Sequence, residues 1–151
     1  MTRLTRLQRR RAKPTGWIYA DGGRAASGRR GYAGDCAVRA LAIVMQRDYD
    51  DIYHELASLN QATGRPRSAR DGTPIAVLRA YLDAVGWQWT PTMSIGSGTR
   101  VHLCADELPS GRIIARVTRH VCAVIDGVVH DIADPSRGGT RCVYGYWSPG
   151  G

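Results

Sequence analysis

Residues 121–132 constrain this chain more tightly than any others. Val121–Ile125 and Val128–Ile132 are apolar-rich runs on either side of Asp126-Gly127. An Asp-Gly pair between two such runs predicts a hairpin with a two-residue turn. With that turn, Ile125 pairs with Val128, Val124 with Val129, Ala123 with His130 and Cys122 with Asp131. His120 then falls opposite Ala133. Directly paired residues share a face, and so do residues two apart along one strand. His120, Cys122 and Asp131 therefore share a face, with Asp131 diagonal to His120, while His130 and Asp134 fall on the other. A slip of one residue would reverse the assignment.

The preceding half of the chain has a different period. Cys36, Ala37, Ala40, Leu41, Val44 and Met45 recur at three- and four-residue spacing, which predicts a helix with one buried stripe. Asp35 suits its N-cap and places Cys36 in the first turn. A second helix is expected from about Tyr49 to Ala62, on Ile52, Tyr53, Leu56 and Leu59. A third follows Thr73 as N-cap, with Pro74 in its first position, and ends at Gly86. Residues 63–72 and 93–100 read as loops. Strands are expected at Trp87–Thr92, Ile113–Val117 and Cys142–Trp147, besides the hairpin. Helices followed by an antiparallel sheet make an α+β arrangement. The aromatic set Trp87, Trp89, Tyr144, Tyr146 and Trp147 is expected to serve mainly in core packing and sheet cover.

Charge divides the chain at about residue 30. Residues 1–30 hold nine Arg or Lys against one acid, Asp21, and so carry the whole net charge of +8. Residues 31–151 hold 12 basic and 12 acidic residues. The first segment reads as a basic arm, either solvated or contacting nucleic acid or an acidic partner. Residues 31–151 read as one domain. A nucleic-acid-binding body loses its support, because the body is neutral. The longest wholly apolar run, Ala40–Met45, has six residues, too few to cross a membrane. No apolar segment follows the basic start as a secretory signal would require. The expected setting is cytoplasmic and reducing, with Cys36, Cys104, Cys122 and Cys142 as free thiols. No C-x-x-C pair occurs. Cys36, His120 and Cys122 have zinc-ligand chemistry, but their spacing does not support a metal site, and no cofactor is implied.

A cysteine in the first turn of a helix lies among free backbone N–H groups, which favour thiolate over thiol. A histidine at a strand start and an acid on the neighbouring strand complete the parts that thiol catalysis needs. Cys36 would attack a carbonyl, His120 would carry the proton, and Asp131 would fix the imidazole.

The segment Gly34-Asp35-Cys36-Ala37-Val38-Arg39-Ala40-Leu41 resembles the catalytic-cysteine helix of small papain-like cysteine peptidases of bacteria and phages. Leu108-Pro109-Ser110-Gly111-Arg112-Ile113-Ile114, with Arg119-His120, Val124-Ile125-Asp126-Gly127 and His130-Asp131, is similar to their histidine hairpin. Peptidases related to bacteriocin-leader-processing domains are the nearest group, and cell-wall endopeptidases of the NlpC type share the order of parts more loosely. The resemblance spans about residues 31–147. It implies a papain-like fold, a protein or peptide substrate, and hydrolysis by Cys36, His120 and an acid, either Asp131 or Asp134. One departure stands out: the family often has a glutamine about six residues before the nucleophile as an oxyanion donor. Here that position is Arg30, and the nearest upstream glutamine is Gln8. The alternative reading is a papain-like module without activity, used in binding or particle assembly, with residues 1–30 as the working part.

Overall fold

The computed structural model describes residues 16–29, 33–93 and 101–150. Three helices, α1 (Cys36–Met45), α2 (Tyr49–Ala62) and α3 (Ile75–Ala84), precede most of the sheet. The strands are β1 (Trp17–Tyr19), β2 (Gln88–Pro91), β3 (Val101–His102), β4 (Arg112–Val117), β5 (His120–Ile125), β6 (Val128–Asp131), β7 (Cys142–Val143) and β8 (Gly145–Ser148). Six of them form one sheet in the order β1-β6-β5-β4-β8-β2, and β3 pairs with β7 in a second. All pairings are antiparallel except β1 with β6. The architecture is α+β.

The helices form where the apolar stripes lie. α1 buries Val38, Leu41 and Val44, and α2 buries Ile52 and Leu56. These pack with Leu78 and Leu82 of α3 on the sheet face that presents Ile114, Val121, Ala123 and Trp147. The opposite face, with Ile113, Ala115, Val117, Cys122 and Val124, closes a second core under Leu103, Leu108 and Val143. Alternation along β4 and β5 thus feeds two cores, which is why Ile113–Ala115 and Val121–Ile125 are continuously apolar. Asp48 caps α2, its carboxylate accepting from Asp50 N–H at 2.8 Å. α3 starts one residue later than expected, with Pro74 in the cap position and no side-chain cap.

The hairpin has the expected turn. Asp126 (φ 49°) and Gly127 (φ 78°) both lie in the left-handed region. Ile125↔Val128, Val124↔Val129 and Ala123↔His130 pair as the sequence predicts. The expected continuation, Cys122 with Asp131 and His120 with Ala133, does not form, because β6 ends at Asp131. Pro135, which has no N–H to give a ladder, follows closely. The single strand expected over Cys142–Trp147 is two: β7 belongs to the small sheet, and β8 to the large one.

Residues 16–29, assigned by composition to the arm, contact the body. β1 runs along β6 with Trp17 opposite Val129 and Tyr19 opposite Asp131. Arg24 pairs with buried Asp35, and Arg29 pairs with Asp50 while lying over the Tyr53 ring. Two of the arm's charges are therefore spent on the body's acids. The rest of that segment, residues 1–15 and 30, lies outside the described residues, as does most of the expected loop 93–100. Among the described residues, no helix is long and apolar enough to cross a membrane.

The aromatic pair that closes the sheet edge sets a testable limit. Trp147 is fully buried and its ring lies 4.4 Å from that of Trp89. Gly145 leaves room for this pair, since a Cβ there would fall 2.4 Å from Trp89 carbons and 2.7 Å from Thr90 O. Gly145→Ala is expected to destabilise the fold by about 1–3 kcal/mol, read as a lower urea midpoint. An unchanged midpoint would contradict this packing.

Candidate active site

Cys36 opens α1, so its N–H and the next two are not used within the helix. The first helical bond runs from Arg39 N–H to Asp35 O, at 3.1 Å. Asp35 is the N-cap residue, but its carboxylate makes no cap bond. It is 2% exposed, and strong donors hold it instead. Oδ1 accepts from Arg39 Nε at 3.0 Å, and Oδ2 accepts from the Tyr49 hydroxyl and forms an ion pair with Arg24, whose Nε lies 3.1 Å away. Burial, and next the hydrogen bond to Asp35, push the Tyr49 hydroxyl well above the usual phenol range.

His120 enters from the end of the β4–β5 turn, directly after Arg119 with φ 55°. Its Nε2 lies 2.6 Å from Asp131 Oδ2. With Nε2 on Asp131, Nδ1 is the ring nitrogen left for the Cys36 thiol, whose titration is linked to that of the imidazole. The structure therefore brings Cys36, His120 and Asp131 together in one cleft, with the His120–Asp131 hydrogen bond in place. Asp134 is exposed and outside it, with Oδ1 accepting from Ser136 N–H at 2.9 Å. His130 lies apart as well; partial burial, and then the Arg112 charge, hold its imidazole below the usual range. Face-sharing selects Asp131 over Asp134 even though the hairpin ladder stops short of it.

The electrostatics of the row favour charge separation. Burial works against the Cys36 thiolate, but the His120 hydrogen bond, the Val121 N–H and the imidazolium charge outweigh it and lower the thiol. Burial likewise opposes the imidazolium, and Asp131 with Cys36 outweighs it, raising His120 to about 9. Burial raises Asp131, yet its bond to His120, the His120 charge, the Ile132 N–H and Arg39 bring it below the usual carboxylate range. The other sulfur on the hairpin behaves differently. Cys122 is buried, and desolvation with the nearby Asp131 charge pushes its thiol far up. Among the described residues, no group of three His, Cys, Asp or Glu side chains has the arrangement to hold a metal ion.

Sequence reasoning missed Arg39. It is 5% exposed and bridges the two buried acids, with Nη1 2.5 Å from Asp131 Oδ1 and Nε on Asp35. Its signal was present: an arginine inside an apolar stripe, four residues after an aspartate, needs a buried partner. Asp131 Oδ1 also accepts from Ile132 N–H at 2.7 Å, so both carboxylate oxygens are committed.

Cys36, His120 and Asp131 line one open cleft of about 1000 Å³. One wall is formed by Gly34 and the loop 71–73, the other by the β4–β5 turn and the loop after β6. Position 30, where an oxyanion glutamine would stand, lies outside the described residues. No protein-family model matches the chain, and neither does any curated protein or solved structure.

Removing Arg39 would take the shared cation from two buried carboxylates. Arg39→Met is expected to cost about 3–5 kcal/mol of stability. Adding Asp35→Asn should restore part of it, because one orphan charge is then gone. Equal stability of Arg39→Met and the parent in urea unfolding would contradict the network.

Proposed function

We propose that the chain is a thiol-dependent hydrolase of peptide or amide bonds, papain-like in the arrangement of its site. The observation that carries this reading is the row Cys36–His120–Asp131 at a helix N-terminus on the wall of an open cleft. In the resting site the proton sits on His120, and Asp131 holds the imidazolium through Nε2. The thiolate attacks the substrate carbonyl carbon and makes an S–C bond. The carbonyl oxygen takes up the negative charge, which the Cys36 N–H is placed to stabilise. The C–N bond then breaks as His120 Nδ1–H gives its proton to the leaving amine. Water, deprotonated by His120, attacks the thioester, and the acid leaves as the thiolate returns. No cofactor takes part in these steps.

The reaction needs Cys36 without its proton and His120 with its own. The rate should rise on the acid side as the thiolate forms, below the range of an ordinary thiol. It should fall through about pH 9 as His120 loses its proton. Cleavage is best read as new termini in a peptide library, identified by mass spectrometry. Cys36→Ala should abolish them without changing the unfolding midpoint. Asp131→Asn should slow cleavage by about 10²–10⁴-fold, while Asp134→Asn should leave it unchanged. Termini that persist in Cys36→Ala, or a parent that makes none, would contradict the proposal. A chain that makes none but loses a binding activity when residues 1–30 are deleted would be the inactive module instead.

A further inference from the structure

The body of this chain is neutral in sum, but its charges are not evenly placed. The sheet-side wall of the cleft carries four arginines, Arg116, Arg119, Arg137 and Arg141. Among the described residues, none of the four lies within ion-pair distance of a carboxylate. Arg116 instead lies over the Tyr144 ring, 5.8 Å from its centre. Arg141 directs Nη2 to Thr118 O at 2.5 Å and Nη1 to Pro135 O at 3.3 Å, and so ties the β4–β5 turn to the loop after β6. Arg119 and Arg137 are exposed. Against them the cleft offers one uncommitted acid, Asp71, on the opposite wall. Asp131 is already matched by Arg39 and His120.

A concave site with like charges on one wall focuses the field on whatever enters it. The four arginines line the same cleft as Cys36. A second depression of about 510 Å³, lined by Trp89 and Tyr144, shares Arg116 and Arg119 with the cleft. An extended segment leaving the cleft in that direction would pass Arg116 and Arg119.

We propose that the cleft selects acidic peptides, binding carboxylates next to the scissile bond on Arg116, Arg119 and Arg137. The inference rests on the hydrolase reading for what the site does, but the binding it describes does not need turnover. Arg141 holds the turn and the loop at their spacing. Arg119 and Arg137 supply the donors that are free to reach a ligand. Bidentate guanidinium–carboxylate contacts provide the discrimination against Gln- or Lys-bearing peptides.

The test uses the full-length Cys36→Ala chain and mixed pools of acetylated peptide amides. The pools are identical except for Glu, Gln or Lys at two fixed positions. A further pool carries its sole carboxylate at a free C-terminus and separates a terminal acid from a side-chain one. The Glu pool should bind about tenfold tighter than the Gln pool, and the preference should shrink in about 0.3 M salt. Arg119→Gln with Arg137→Gln should remove it. Arg65→Gln with Arg67→Gln, the same charge change on the exposed loop before α3, should not. Equal affinity for the Glu and Gln pools would overturn the proposal. So would a preference that survives in the Arg119/Arg137 variant, which would place the anion site elsewhere. A single-stranded oligonucleotide that binds tighter than the Glu pool, and is lost in that variant, would reassign the cleft to nucleic acid. Failure of cleavage in the parent chain, with acidic binding intact, would sink the hydrolase reading and leave this one standing.

Discussion

The rest of the site depends on a buried guanidinium held between two buried carboxylates. Arg39 reaches Asp35 at the start of its own helix and Asp131 at the end of β6, so it fixes the helix N-terminus to the sheet. Burying charges costs several kcal/mol per ion unless each is paired and hydrogen-bonded. Here each is: Asp35 has Arg39, Arg24 and Tyr49; Asp131 has Arg39, His120 and the Ile132 N–H. Arg24 and Arg39 balance the two aspartates. The proton shared by Cys36 and His120 can then move from sulfur to imidazole without changing the net charge of the group. That neutrality lowers the cost of an ion pair between a half-buried thiol and imidazole.

The same network explains the geometry of the row. A histidine at a strand start is ordinarily free to rotate. His120 is gripped at Nε2 by a carboxylate whose other oxygen is already committed. This fixes the ring and leaves Nδ1 as the nitrogen not held by the carboxylate. The sulfur in turn sits at a helix start, where the Val121 N–H and the Arg39 charge add to the pull on its proton. Cys122, two residues along the same strand as His120, shows what the site would be without these partners: an inert, buried thiol.

Much of this was legible in the sequence, for local reasons. The Asp126-Gly127 turn fixed the hairpin register, and period-two alternation then put His120 and Asp131 on one face. The stripe from Cys36 to Met45 placed the sulfur at a helix start. What was not legible is what depends on distant partners. Asp35 reads as a cap because caps are local, whereas its true partners come from Arg24 and Tyr49 as well as Arg39. β1 could not be read, since a three-residue strand inside a Gly- and Arg-rich segment gains its order from β6, more than a hundred residues away. The positive cleft wall was hidden by a sum: 12 basic and 12 acidic residues cancel in a count but not in space. The fold is α+β; its papain-like character, like the chemistry, stands as a proposal.

The central claim is that Cys36 and His120 share their proton as a thiolate–imidazolium pair. The direct measurement is the rate of iodoacetamide labelling of each cysteine against pH, mapped by mass spectrometry. Ordinary thiols titrate near about 8.5, whereas paired ones do so well below about 7.5. The account predicts fast labelling of Cys36 at about pH 6, slow labelling of Cys104 and Cys122, and loss of the Cys36 advantage in His120→Ala. Labelling of Cys36 that follows an ordinary thiol, or is indifferent to His120→Ala, would contradict it.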